Sequence, residues 1–312
     1  MRIAFFGTPP PAVEYLDALA EGEHEVVLVV TQPDRPAGRG REMRASPVKV
    51  RAEELDLPVV TPEDASEQAF IDRMAAADPE LGVVVAYGEI LRPKLLEMPS
   101  EGFINVHYSL LPELRGAAPV YGALRRGLKR TGVTIQHMAE KLDAGDIILQ
   151  RETKIVDRDN RGTLTERLTQ IGVTALLDAI ALIEAGNAPR DAQDEAMSSY
   201  VGRVQSEDCR IDWSMAAEEV RNLVRACTPW PGAWCMLGND RVKVQDLSAV
   251  QNVLINEGTP GEIVELPSAA GPVVRCGCGA VQLERLQPAG KRAMAGEEFL
   301  RGARLEIGDA FE

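Results

Sequence analysis

The chain has 312 residues, of which 45% are hydrophobic and 26% charged. That balance belongs to a folded globular protein and excludes a disordered, collagen-like or repeat-array chain, and the length allows about two domains with ample core for each. A formal net charge of −14 argues against non-specific polyanion binding over the whole surface, while leaving room for a local basic site.

No apolar run approaches the roughly 20 residues of a membrane span. The N-terminal MRIAFFGTPP is too short and too quickly polar for a signal peptide, so a cytoplasmic protein without membrane association is expected. The five cysteines, at 209, 227, 235, 276 and 278, are odd in number and argue against a disulfide framework. Cys276-Gly-Cys278 reads as two small residues on a strand near a turn, and no metal is expected.

In chain order, Arg2 to Phe6 reads as a strand ending at the Gly7-Thr8 turn. Pro9 to about Ala20 is a helix with proline in its first turn. Glu25 to Thr31 is a β-branched run typical of a strand buried on both faces. Helices follow at about Pro47–Leu55 and Ser66–Ala77, and strands at Val59–Val60, Leu81–Ala86 and Phe103–Val106. This alternation predicts an α/β fold, a Rossmann-like parallel sheet with helices on both faces. The first turn, GTPPPAV, lacks the G-x-G-x-x-G pattern of dinucleotide sites. A long helix is predicted over 163–185, stopped at Gly186.

Residues 187–206 are polar with few apolar anchors and read as a linker between domains at 1–186 and 207–312. From Ile211 the pattern changes to a helix at about Ala216–Ala226 and then short strands separated by glycine turns, which predicts a small β-barrel or sandwich. Trp230 and Trp234 are expected in the core of this second domain.

Charge is unevenly spread. Residues 34–51 hold six basic side chains (Arg35, Arg39, Arg41, Arg44, Lys49, Arg51) against Asp34 and Glu42. Such a Gly-rich segment reads either as a solvated surface loop or as a flexible arm that orders on a phosphate backbone. The second domain has 11 basic and 16 acidic residues, so binding of any polyanion there requires its cations to gather on one face. Arg221 with Arg225, and Lys291-Arg292 with Arg301 and Arg304, are the candidate clusters.

Polar chemistry concentrates in GFINVHYSLLPELRGAAPV, residues 102–120. Asn105 and His107 lie two apart at a strand end, so they point the same way, beyond the carboxyl ends of strands where open α/β sheets bind ligands. The Asn amide can donate to a carbonyl oxygen, and His can donate or shuttle a proton. Asp143 and Asp146 flank a Gly-containing turn, and a carboxylate near His107 would orient its ring. His137 is a candidate to line the same pocket. Taken singly, His107 also reads as a structural residue and Asp143 as a turn residue.

The set NVHYSLLPELRGAAPV with LDAGD at 142–146 resembles the folate-dependent formyltransferases. TQPDRPAGRG, SPVK, VVAYGEIL, RIDW, PWPGAW and FLRGARLEIGD narrow the resemblance to the branch of that family acting on methionyl-tRNA, and it covers Met1 to about Asp309. It implies a Rossmann-like N-terminal catalytic domain and an OB-like C-terminal barrel that binds tRNA. It implies formyl transfer from 10-formyltetrahydrofolate to the α-amine of initiator methionyl-tRNA, in support of translation initiation. Asn105, His107 and Asp143 fall on the catalytic positions. Ser109, Leu110, Leu111 and Pro112 fall on the folate-binding turn, and Arg35, Arg39, Arg41 and Arg44 on the segment that reaches the tRNA acceptor end. A monomer is expected.

The chain departs from the family pattern at Glu113, where a basic residue is usual, at His137, Ala139 and Lys141 beside the aspartate loop, and at Pro10-Pro11. Rival readings are a formyltransferase with a nucleotide, amino-sugar or water acceptor, a tRNA-binding factor without catalysis, and a nucleotide-binding oxidoreductase.

Overall fold

A computed structural model describes residues 1–37, 42–250 and 258–312. In chain order the first elements are β1 (Arg2–Gly7), α1 (Pro10–Glu21), β2 (Glu25–Val30), β3 (Arg35–Ala37), β4 (Glu42–Arg44), α2 (Pro47–Glu54), β5 (Val59–Val60), α3 (Gln68–Ala77), β6 (Leu81–Val85) and α4 (Pro93–Leu96). They are followed by β7 (Phe103–His107), α5 (Pro119–Arg125), β8 (Arg130–His137), β9 (Ile147–Lys154) and α6 (Arg161–Glu184). The start of α2 shows the local logic. Pro47 sits in the first turn, and the Ser46 hydroxyl accepts the Lys49 N–H at 3.0 Å, satisfying a donor that the helix leaves free.

The chain divides into two compact units. Unit 1 comprises Met1–Pro119, Thr131–Thr153 and Thr165–Val201, and unit 2 comprises Val120–Arg130, Lys154–Leu164 and Gly202–Glu312. Unit 1 is built on a seven-stranded sheet of order β5-β2-β1-β6-β7-β8-β9. β5, β2, β1, β6 and β7 are parallel neighbours, as the alternation predicts. β8 departs from that expectation by running antiparallel to β7. On one face Phe6 forms edge-on pairs with Phe70, Tyr87 and Phe103, with ring centroids 6.2, 5.4 and 5.3 Å apart. Such pairs add about 0.5–1.5 kcal/mol each beyond burial.

Residues 187–201, read as part of a linker, group with unit 1. Ile147 and Asp191 exchange backbone hydrogen bonds of 2.8 and 3.1 Å, and Arg115 pairs with the strand-like stretch at Tyr200. Attachment runs through backbone and polar side chains, so it leaves no hydrophobic period in the sequence.

Unit 2 contains α7 (Ala217–Cys227), β10 (Ala233–Leu237), β11 (Asp240–Val250), β12 (Ile263–Glu265), β13 (Val273–Arg275), β14 (Ala280–Pro288), β15 (Met294–Ala295) and α8 (Gly296–Ala303). The antiparallel sheet has the order β10-β11-β14-β13-β12, with β15 on β14. The last residues join its two edges. Met236 and Glu312 exchange backbone bonds of 2.7 and 2.8 Å beside β10, while Ile263 donates to Asp309 and Phe311 to Gly261 beside β12, at 2.7 and 2.8 Å. The predicted barrel is thus closed by the segment 309–312, which anchors Phe311, 2% exposed, against Trp213 in the core. Trp234 is also in this core, but Trp230 is 67% exposed. The expectation of a buried Trp230 fails because the residue lies in the Pro-rich turn before β10, outside the strand alternation.

Candidate active site

β7 ends at His107, and its alternation turns Asn105 and His107 to one face. β8 places Gln136 opposite Asn105 and Thr134 opposite His107. Residues directly opposed across an antiparallel pair share a face, so these four side chains stand together. His137 pairs with Ile104 and faces the other way. The expectation that it lines the Asp143 pocket fails on strand parity, since one residue along a strand reverses the side chain.

Asp143 comes from the loop between β8 and β9. Its backbone is left-handed, with φ 51°, a region that Asp tolerates better than most residues. A Cβ on Gly145 would lie 1.8 Å from the His137 carbonyl oxygen, so the loop can pass there only as glycine. The Asp143 side chain is 8% exposed. Its Oδ2 accepts the Gly116 N–H at 2.7 Å. Its Oδ1 faces Gln136 Nε2 at 3.3 Å, Asn105 Nδ2 at 3.5 Å and His107 Nδ1 at 3.7 Å.

The carboxylate therefore has one firm bond and one loosely held oxygen. Hydrogen bonds at 3.5 Å are weak, so Asn105 and His107 can turn to a substrate oxygen placed beside Oδ1. His107 Nε2 lies 2.9 Å from the Leu114 carbonyl oxygen. A carbonyl only accepts, so Nε2 carries a proton and Nδ1 is the nitrogen that faces Asp143.

The turn after β7 is fixed from behind. The fully buried Ser109 donates its hydroxyl to the Glu113 carbonyl at 2.6 Å. Thr134 donates to the Ser109 carbonyl at 2.7 Å and accepts the Leu111 N–H at 3.1 Å. Gln150 donates to the Leu111 carbonyl at 2.9 Å. Leu111 is buried, which leaves Leu110 and Pro112 as the half-buried members of the turn.

Sequence reading missed the groups that hold Asp143. Gln136 was detectable only through the register of β8. Gln193, from the stretch read as a linker, gave no signal. Its Nε2 lies 2.9 Å from the Asp143 carbonyl, 2.7 Å from the Gly145 carbonyl and 3.1 Å from Gln136 Oε1. Its Oε1 accepts from Nε and Nη2 of the buried Arg115 at 3.0 and 2.8 Å. Arg115 Nη1 also reaches Glu195 at 3.0 Å. The Glu195 carboxyl is held below its ordinary pKa by hydrogen bonds from Lys141 and Arg115.

The basic segment forms a two-stranded ribbon, with Arg35 opposite Arg44. Arg39 and Arg41 lie outside the described residues. Arg35 is 4.0 Å from Glu63, and Arg44 is exposed. Lys49 and Arg51 are occupied by Asp34 at 2.9 Å and Asp17 at 2.7 Å. Among the described residues no group of three or more His, Cys, Asp or Glu side chains could hold a metal ion, and no helix is long and apolar enough to cross a membrane.

Residues 1–180 match the formyl transferase family and residues 203–304 match the formyl transferase C-terminal domain. The N-formyltransferase from Helicobacter canadensis, solved with folinic acid and dTDP-3-aminofucose, is similar in fold, with a TM-score of 0.68 and 18% identity over 91% of this chain and 98% of that one. HypX from Aquifex aeolicus in complex with tetrahydrofolic acid gives a TM-score of 0.63 and 18% identity over 96% of this chain, which spans 47% of HypX. The methionyl-tRNA formyltransferase of Bacillus cytotoxicus is 41% identical over 308 residues, 99% of this chain and 98% of the relative. With that identity over nearly the whole length of both proteins, the chain belongs to the methionyl-tRNA formyltransferase family.

Proposed function

We propose that the protein transfers the formyl group of 10-formyltetrahydrofolate to the α-amine of initiator methionyl-tRNA, supporting translation initiation. The observation that carries this reading is the convergence of Asn105, His107 and Gln136 on one oxygen of a buried Asp143, in a chain alike end to end to a methionyl-tRNA formyltransferase. That donor set suits an amide-type carbonyl, the group that N10-formyl folate presents. The half-buried Leu110 and Pro112 of the turn 109–112 meet the folate in this reading.

The amine must attack as a neutral nucleophile. Its nitrogen bonds to the formyl carbon while the carbonyl electrons move to oxygen. Asn105 Nδ2 and a proton on His107 Nδ1 stabilise that oxyanion, and each such donor is worth about 100- to 1,000-fold in rate. Asp143 Oδ1 takes the proton lost by the amine, an effect of roughly 100- to 10,000-fold. The bond from the formyl carbon to N10 of the folate then breaks, and that nitrogen receives the proton. No redox step occurs and no metal is required.

Arg35 and Arg44, opposite one another on the ribbon, engage the acceptor end of the tRNA together with Arg39 and Arg41. The enzyme acts in the cytoplasm as a monomer whose own chain supplies Asn105, His107 and Asp143. The test is formyl transfer from 10-formyltetrahydrofolate to methionylated initiator tRNA, with free methionine and uncharged tRNA as controls. Product with the methionylated tRNA alone is expected. Folate binding without such product would overturn the acceptor and redirect attention to amino-sugar and nucleotide amines.

A further inference from the structure

In unit 1 the stretches 112–116 and 199–201 are zipped together. The Ser199 N–H donates to the Pro112 carbonyl at 3.2 Å, the Arg115 N–H to the Ser199 carbonyl at 2.8 Å and the Val201 N–H to the Arg115 carbonyl at 2.8 Å. The Ser199 hydroxyl accepts the Leu114 N–H at 2.9 Å. This register sets Tyr200 beside Arg115 and its ring on Gly116. The ring comes so close only because residue 116 has no side chain. A Cβ there would lie 2.6 Å from Tyr200 Cε2 and 2.8 Å from Cζ.

Gly116 is also the residue whose N–H holds Oδ2 of Asp143 at 2.7 Å. One glycine thus separates the Tyr200 ring from the carboxylate that takes the amine proton. Tyr200 is nevertheless 61% exposed, and the two segments that hold Asp143 carry two further exposed apolar side chains, Leu142 and Met197. Arg115 and Lys141, the cations beside Gly116 and Asp143 in the chain, both bind Glu195, at 3.0 and 2.8 Å. Apolar surface therefore stands exposed next to the reacting centre, and the transfer step itself makes no use of it.

We propose that Tyr200 is a specificity-determining residue, whose ring receives the thioether side chain of the methionyl group on the acceptor. The inference rests on the methionyl-tRNA acceptor proposed above and assigns its amino-acid side chain a surface. The attacking nitrogen is bonded to the Cα that bears this side chain. An amine at Oδ1 of Asp143 therefore brings the side chain to the rim formed by Gly116 and Tyr200. Sulfur beside an aromatic ring is a favourable contact, and the unbranched methionine chain adapts to the surface it meets. A polar side chain in its place would lose hydration without gaining a partner. The folate, the other substrate with rings, is assigned to the separate turn 109–112.

The test compares wild type, Tyr200→Ala and Tyr200→Phe on one initiator tRNA charged with either methionine or alanine. It measures kcat/KM for each acceptor and KM for 10-formyltetrahydrofolate. Alanine keeps the amine and the tRNA body and lacks the thioether chain. The ratio of the two kcat/KM values within one preparation cancels any loss of folded protein. Tyr200→Ala is expected to lower the methionyl-over-alanyl ratio by about 2- to 10-fold, the range of a sulfur–aromatic contact. Tyr200→Phe keeps the ring and is expected to keep the ratio, with the folate KM at its wild-type value in both variants. Equal loss on the two acceptors would make Tyr200 a support for Gly116 or a contact of the tRNA itself, and would overturn the proposal. An unchanged ratio, with or without a changed folate KM, would overturn it too. Those outcomes leave the methionyl-tRNA acceptor standing. A wild-type protein that formylates neither charged tRNA would overturn the acceptor and this role with it.

Discussion

The backbone N–H of Gly116 donates to Oδ2 of Asp143 at 2.7 Å, while Gln136 Nε2, the nearest donor to Oδ1 among the described residues, stands 3.3 Å away. One oxygen is an anchor and the other a working end. Gly116 can play this part only as glycine. Its φ is +103°, and a Cβ would lie 2.5 Å from the Val201 carbonyl oxygen and 2.6 Å from the Tyr200 ring.

Gly116→Ala is therefore expected to destabilise unit 1 by about 1–3 kcal/mol through backbone strain and to displace the carboxylate. A shift of about 1 Å in a reacting group costs about 100-fold in rate. Thermal melting and kcat together check this outcome. A variant with wild-type kcat would mean that Asp143 does not depend on that N–H.

His107→Ala is expected to lower kcat at least about 100-fold while leaving methionyl-tRNA binding unchanged. The ring contacts the Leu114 carbonyl and the Asp143 carboxylate, and the carboxylate keeps its bond from the Gly116 N–H. The comparison is single-turnover formyl transfer against tRNA binding by the same preparation. Near wild-type turnover would remove His107 from the chemistry.

Gln193→Glu keeps the size of the side chain and removes the donor that spans the carbonyls of Asp143 and Gly145. A carboxylate there faces two carbonyl oxygens, at a cost of about 1–3 kcal/mol for the unpaired polar groups. The expected result is a fall in kcat with KM for the folate little changed, because the loop that carries Asp143 is displaced while the turn at 109–112 is held separately by Thr134 and Gln150. Equal kcat for Gln193→Glu and wild type would place Gln193 outside the support of the site.

What was legible in the sequence follows a physical rule. The parallel strands β1, β2, β6 and β7 are buried β-branched or apolar runs, and Asn105, His107 and Asp143 sit in a motif whose glycine, Gly145, is demanded by a close backbone approach. The direction of β8 was hidden because strand periodicity carries no information on parallel or antiparallel pairing. Without that register Gln136 could not be placed and His137 was set on the wrong face. The packing of 187–201 was hidden because backbone hydrogen bonds and Gln193 attach it, and neither leaves a hydrophobic pattern. Trp230 was read as core because a tryptophan usually is, and its exposure comes from a turn whose path the sequence does not specify.

His137 makes the stability of unit 1 depend on pH. Burial, assisted by Arg190, holds its imidazole below the ordinary value of 6.5, against the opposing pull of its bond to the Pro189 carbonyl and of Asp146 and Glu101. The unfolded chain therefore binds a proton more readily than the folded one below about pH 6.5, and stability declines as pH falls through that value. Melting of the wild type is expected to shift downward between pH 7.5 and 5.5, and the shift to be smaller in His137→Gln. Parallel curves for the two proteins would show that other groups set the acid limb.

Phe311 tests the closure of unit 2. Its side chain is 2% exposed and packs 6.1 Å from the Trp213 ring, in the segment that bridges β10 and β12. Truncation of a buried aromatic costs about 3–5 kcal/mol, and here the lost packing also loosens the hydrogen bonds that join the two sheet edges. Phe311→Ala is expected to melt unit 2 at lower temperature and to raise hydrogen exchange at Met236, Ile263 and Phe311, whose amides donate across the closure. Exchange in β1 and β6 of unit 1 is expected to stay at the wild-type rate. Loss of protection confined to residue 311, with β10 and β12 unaffected, would show that the sheet holds its shape without the terminal segment.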